Sequence, residues 1–232
     1  MWDDQEKALS SQFRVITIDL RGHGESDAPL WHYSLDQAAD DVHSLLDHLS
    51  IRQAVLIGLS MGGYVAFAFY RKYAARVRGL VLADTRAQAD TEDGKRARFE
   101  MAQIAYKQGP SAIADIMLPK LLSPATIQTR PELVQRVRTM IQGNQVSGIA
   151  GDLMAMAERA DSQALLTQIS CPTQIIVGEL DVPTPPSDAQ LMADRIPQAS
   201  LAVIPGAAHL SNLEQPELFN QVIRSLVLTL PR

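Results

Sequence analysis

The tightest constraint on this chain's fold is a set of short apolar runs spaced by helix-length segments. Ala54-Val55-Leu56-Ile57-Gly58, the stretch from Val77 to Ala83, Gln174-Ile175-Ile176-Val177-Gly178 and Leu201-Ala202-Val203-Ile204 show little polar alternation. A strand with one face in water alternates, whereas a continuous run such as Ala54 to Gly58 is the mark of a strand covered on both faces, and Val77 to Ala83 likewise reads as buried. Phe13 to Leu20 is another β-branched apolar run and ends at the turn cluster Arg21-Gly22-His23-Gly24, so it also reads as a strand. Between the runs lie helical patterns. Ser34 is placed to cap a helix with Leu35, Ala38, Val42, Leu45, Leu46 and Leu49 at helical spacing. Further helices are expected from about residues 2 to 10, 61 to 73, 187 to 196 and 216 to 230. Strands alternating with helices imply an α/β fold, a mostly parallel sheet with helices on both faces. From residue 86 to 168 the strand runs vanish and helical patterns with scattered Met and Pro take over. The expected organisation is a core of residues 1–85 and 169–232 carrying a helical cap, 86–168.

Composition removes several classes of function. Of 232 residues, 46% are hydrophobic and 20% charged, which is globular rather than disordered or fibrous. The formal net charge is -5 and no basic run stands out, so a nucleic-acid partner is not expected. No stretch of about 20 apolar residues suggests a membrane span. The polar, acidic start MWDDQEKALSSQF does not read as a signal peptide. The single cysteine, Cys171, has no partner for an internal disulfide, which fits a cytoplasmic setting.

The chemistry is carried by three places. Gly58-Leu59-Ser60-Met61-Gly62 is a G-x-S-x-G that follows a strand and opens a helix, the context of a nucleophile elbow. Glycines on both sides are expected to prevent clashes in the tight turn, and Gly63 to let the helix pack closely. The bland alternative is a helix-capping serine. A serine hydroxyl needs a base. His32, His43 and His48 lie in or near a polar helix and read as surface residues; His23 sits in a turn. His209 differs, because it lies in a loop after a strand, at the sheet edge where sites assemble in parallel folds. Asp181, just past the strand ending at Gly178, is the favoured partner for that base. Glu179 and Asp84 are rivals. The order Ser60, Asp181, His209 is a serine, acid, histidine order.

With these residues in place, the chain resembles α/β-hydrolase fold proteins over essentially its whole length. Asp19-Leu20-Arg21-Gly22-His23-Gly24-Glu25-Ser26 matches the family's D-x-R-G-x-G-x-S turn, where Ser26 and Asp27 read as structural. The segment from Ala208 to Glu217 is most similar to 3-oxoadipate enol-lactonases and related small esterases. The resemblance implies Ser60 as nucleophile, His209 as general base, Asp181 as its orienting acid and the Met61 N–H as an oxyanion donor. It also implies two or three strands ahead of the one at Phe13, and a His-Gly loop giving a second oxyanion donor, neither of which is found here. On that expectation the runs at Val15–Leu20 and Val55–Gly58 either pair directly or show open edges, and hydrolysis is weakened.

The expected partner is a small ester or lactone, with an apolar part facing Met101, Met117, Met140, Met154 or Met156 in the cap. Most of these methionines read as cap core. Arg86 and Arg21 are the candidates to bind a substrate carboxylate. No metal or cofactor is expected: the histidines are scattered, and Gly58 to Gly63 is not a dinucleotide fingerprint. A cofactor-free haloperoxidase or perhydrolase on the same three residues, and an inactive remnant or binding module, are the competing readings. An aspartate-nucleophile dehalogenase or epoxide hydrolase is disfavoured by Ser60.

Overall fold

Four of the apolar runs pair side by side in a parallel sheet. A computed structural model describes residues 1–30 and 32–230. The strands are β1 (Ala54–Leu59), β2 (Val77–Ala83), β3 (Thr173–Gly178) and β4 (Ala199–Ile204), ordered β1-β2-β3-β4. Their register runs from Val55 opposite Gly79 to Leu59 opposite Ala83, and from Thr173 opposite Ala199 to Gly178 opposite Ile204. The strand period of two sends alternate residues to opposite faces. Leu80, Leu82, Ile175 and Val177 enter one core, and Val81, Ala83, Ile176 and Ile204 enter the other.

Helices cover both faces. In chain order they are α1 (Asp3–Leu9), α2 (Leu35–His48), α3 (Met61–Tyr73), α4 (Glu92–Leu121), α5 (Pro124–Thr129), α6 (Pro131–Gln142), α7 (Val146–Ala157), α8 (Gln163–Leu166), α9 (Pro186–Arg195), α10 (Ser211–Glu214) and α11 (Pro216–Thr229). The first core takes Leu35, Ala38 and Leu46 of α2, Phe67 and Phe69 of α3 and Met192 of α9. The second takes Leu9 of α1, Leu118 of α4 and Phe219 and Ile223 of α11. Ser34 caps α2 as its sequence implies, accepting from the Gln37 N–H at 3.1 Å, an arrangement worth about 1 kcal/mol. Between β2 and β3 the chain is helical, α4 packing on α6 and α7. α4 bends at Gly109 (φ 77°), just before Pro110. Among the described residues, no helix is long and apolar enough to cross a membrane.

Two strand expectations are corrected. Phe13 to Leu20 forms no strand, and it does not pair with β1. Its apolar pattern is right for a sheet, but a strand needs a ladder neighbour and none is present among the described residues. Phe13 and Val15 rest on the second core and Leu20 on the first, while Ile16 and Ile18 are about two-fifths exposed (40% and 38%). β1 is likewise not covered throughout. Only Gly58 and Leu59 of β1 are buried, because among the described residues β1 meets β2 along one edge and no strand along the other.

Candidate active site

All the chemistry-bearing side chains stand at the C-terminal ends of the strands. Ser60 directly follows β1, Asp84 directly follows β2, Asp181 comes three residues after β3 and His209 five after β4. Ser60 makes the turn from β1 into α3 at φ 54° and ψ −114°. Its side chain accepts no capping bond from α3, so the hydroxyl is left for other work. The turn is tight enough that a β-carbon on Gly58 would lie 2.2 Å from the Gly62 carbonyl oxygen. On Gly62 itself a β-carbon meets nothing within 4 Å. The expected crowding therefore falls on the Gly58 side alone, because the Gly62 α-carbon faces open space. A β-carbon on Gly63 would collide with Thr85, which agrees with a close helix approach there.

His209 is buried and hydrogen-bonded at both ring nitrogens. Its Nε2 lies 2.8 Å from Ser60 Oγ, and its Nδ1 lies 2.9 Å from both carboxyl oxygens of Asp181. With the Nδ1 proton on the carboxylate side, the Nε2 lone pair faces the serine hydroxyl. Asp181 is itself held in place. The Thr184 hydroxyl donates to it at 2.8 Å and the Thr184 N–H at 3.0 Å. Met61 opens α3, so its N–H belongs to a helix terminus whose first donors lack intrahelical partners. Of the two rival acids, Glu179 accepts from the Gly206 N–H, and Asp84 bonds Gly178 and Ser211 rather than His209.

The chain as a whole is similar to known proteins. A model of the alpha/beta hydrolase fold matches residues 1–216. The chain belongs to the α/β-hydrolase fold family. It is 34% identical to 3-oxoadipate enol-lactonase 2 of Acinetobacter baylyi, over 98% of this chain and 83% of that protein. Among solved structures of α/β-hydrolase fold proteins, it matches a thermophilic esterase from Thermogutta terrifontis with a TM-score of 0.95 and 43% identity, covering 98% of this chain and 84% of that one. It matches the enol-lactonase from Burkholderia xenovorans LB400 with a TM-score of 0.91 and 30% identity, covering 98% and 85%.

The two arginines expected to receive a substrate carboxylate each hold a carboxylate of this α/β-hydrolase chain already. Arg21 grips Asp41 through Nε and a terminal nitrogen, both at 2.6 Å. Arg86 lies 3.2 Å from Asp188 and donates to the Pro183 carbonyl. The hollows that these arginines line contain none of Ser60, Asp181 and His209. His43 is also less exposed than a polar helix suggests: its ring stacks on Tyr73 at 3.9 Å and meets Arg76 at 2.9 Å. Sequence reasoning missed Thr184, although a hydroxyl three residues after Asp181 is a recurrent local bond pattern. It also missed Glu214. That buried side chain accepts from the Ala208 N–H at 2.6 Å and the Ser123 N–H at 2.9 Å, joining the loop of His209 to the corner between α4 and α5.

Proposed function

We propose that this chain is a serine hydrolase of carboxylic esters or lactones, working through an acyl-enzyme. The observation that carries the reading is the unbroken hydrogen-bond chain from Asp181 through His209 to Ser60 at a strained strand-to-helix turn. Ser60 Oγ attacks the carbonyl carbon while His209 Nε2 takes its proton. The tetrahedral oxyanion rests on the Met61 N–H and the positive end of α3. His209 returns the proton to the leaving alkoxide, and the carbon–oxygen bond breaks. A water then loses a proton to His209, attacks the acyl carbon, and releases the acid as Ser60 regains its hydrogen. Asp181 holds the imidazole in its working tautomer and stabilises the imidazolium.

The enol-lactonase and esterase relatives support this choice of substrate class. Residues 1–85 and 169–232 are proposed as the core that presents the three residues, with 86–168 as a cap over them. A fluorophosphonate probe and a p-nitrophenyl ester test the reading. The expected results are labelling and turnover by the unsubstituted chain, and neither by Ser60→Ala. Turnover that survives Ser60→Ala removes the serine mechanism.

A further inference from the structure

The end of β2 touches all three loops that carry the proposed catalytic set. The Ser60 N–H donates to the Ala83 carbonyl at 2.9 Å, and the Thr85 hydroxyl donates to the Ser60 carbonyl at 2.8 Å. Between these two residues sits Asp84, fully buried and at φ 45°. A residue with a β-carbon adopts such a conformation only where the surroundings enforce it. Its own N–H is anchored on the Ile176 carbonyl of β3 at 2.8 Å. Its side chain reaches sideways. Asp84 Oδ1 accepts from the Gly178 N–H at 2.8 Å, and Oδ2 is hydrogen-bonded to Ser211 Oγ at 2.5 Å. Gly178 ends β3 three residues before Asp181, and Ser211 stands two residues past His209. Those two loops are already in contact, since a β-carbon on Gly178 would fall 2.0 Å from the Ala208 carbonyl oxygen.

We infer that Ala83-Asp84-Thr85 is the positioning hub of the site, and that the Asp84 carboxyl is the fastening that holds the Asp181 loop and the His209 loop at their working separation. This rests on the reading of Ser60, Asp181 and His209 given above. Asp84 is a positioning residue: its hydrogen bonds go to Gly178 and Ser211. The role suits a neutral carboxyl. Burial pushes its pKa well above the usual carboxylate range, and the nearby Asp181 charge adds to that, while the bonds from Ser211 and Gly178 pull the other way without prevailing. A carboxyl shifted toward its neutral form fastens both loops with less negative charge beside Asp181. Both carboxyl oxygens accept, Oδ1 from the Gly178 N–H and Oδ2 from the Ser211 hydroxyl; an asparagine keeps the acceptor for Gly178, and its amide can donate to Ser211 Oγ, because a hydroxyl both gives and accepts.

The test compares Asp84→Asn with Asp84→Ala in full-length protein, well below the melting temperature of each. Asp84→Asn is expected to keep the kcat and KM of the unsubstituted chain. Asp84→Ala is expected to lose about 10²-fold in kcat, the usual scale for a misplaced reacting group, with KM little changed. A residue that only stabilised the fold would lower the melting temperature and leave the kcat of folded protein alone. If Asp84→Ala does not fold, Ser211→Ala removes one of the two fastenings, and a loss in kcat is again expected. The ¹⁵N spectrum of the His209 imidazole gives a readout independent of turnover: its tautomer and chemical shifts should be unchanged in Asp84→Asn and altered in Asp84→Ala or Ser211→Ala. Folded Asp84→Ala with unchanged kcat and imidazole spectrum overturns the hub, as does Asp84→Asn matching the damage of Asp84→Ala. An unsubstituted chain that is not labelled at Ser60 overturns the hydrolase reading instead, and the imidazole spectra still decide the hub.

Discussion

Ser60 is held at φ 54°, which costs a residue with a β-carbon about 1–3 kcal/mol. The sequence carried the sign of that strain, since Gly58 is the residue that lets the turn close. The acidic partner of His209 is less sharply marked. Asp84, Glu179 and Asp181 all lie just past strand ends, and one-dimensional position favours Asp181 without excluding the others. Side-chain direction separates them: only Asp181 comes within 2.9 Å of His209 Nδ1, while Asp84 points at Gly178 and Ser211. Replacing Asp181 by Asn keeps the shape and offers a donor where an acceptor is required. The expected result is a fall in kcat of about 10⁴-fold with little change in KM, measured on the p-nitrophenyl ester. Arg21 and Arg86 illustrate the opposite difficulty. A free-looking cation in the sequence had, in the fold, an aspartate from another segment beside it.

At the scale of elements, the longer core helices are legible from their apolar spacing and the four paired strands from their continuous apolar runs. The segment Phe13 to Leu20 carries a strand-like apolar run and forms no strand, because such a run records a preference whereas a ladder requires a neighbour. Among the described residues β1 has a ladder neighbour on one side, and Ile16 and Ile18 are exposed; both features invite contacts between molecules. Ile18→Lys is expected to reduce concentration-dependent light scattering without lowering the melting temperature. Glu214 has the reverse character: it is acidic in sequence and buried in the fold. Glu214→Ala strands the Ser123 and Ala208 N–H groups, at about 1–3 kcal/mol each. Urea unfolding is expected to show a lower midpoint, and catalysis should suffer too, because Ala208 immediately precedes His209.

Across the whole molecule, the loop after Leu20 and helix α7 are joined at two points. The Gly22 and Gly148 backbones touch so closely that a β-carbon on Gly148 would lie 1.9 Å from the Gly22 carbonyl oxygen. Beside them His23 Nδ1 lies 3.0 Å from Asp152. Burial lowers the His23 pKa, but the hydrogen bond and charge of Asp152 outweigh it, and the net shift is upward. The folded value therefore lies above the unfolded one. The stability this pair contributes is fully present below about pH 6.5 and is lost as pH rises through the raised folded value. Amide exchange in α7 is expected to quicken as pH rises above about 6.5, beyond its intrinsic base dependence, and His23→Asn should remove that excess. The sequence by itself determined the α/β class, the tight strand-to-helix turn at Ser60 and the order of Ser60, Asp181 and His209 along the chain. These follow from local periods and from the glycine that a tight turn demands. The tertiary structure decided which acid meets His209, which cations are already neutralised, and which apolar run finds no ladder partner. Each of those depends on groups far apart in the chain: Ser60 and His209 are separated by 149 positions and Asp84 and Ser211 by 127, and only packing sets the distance between such groups.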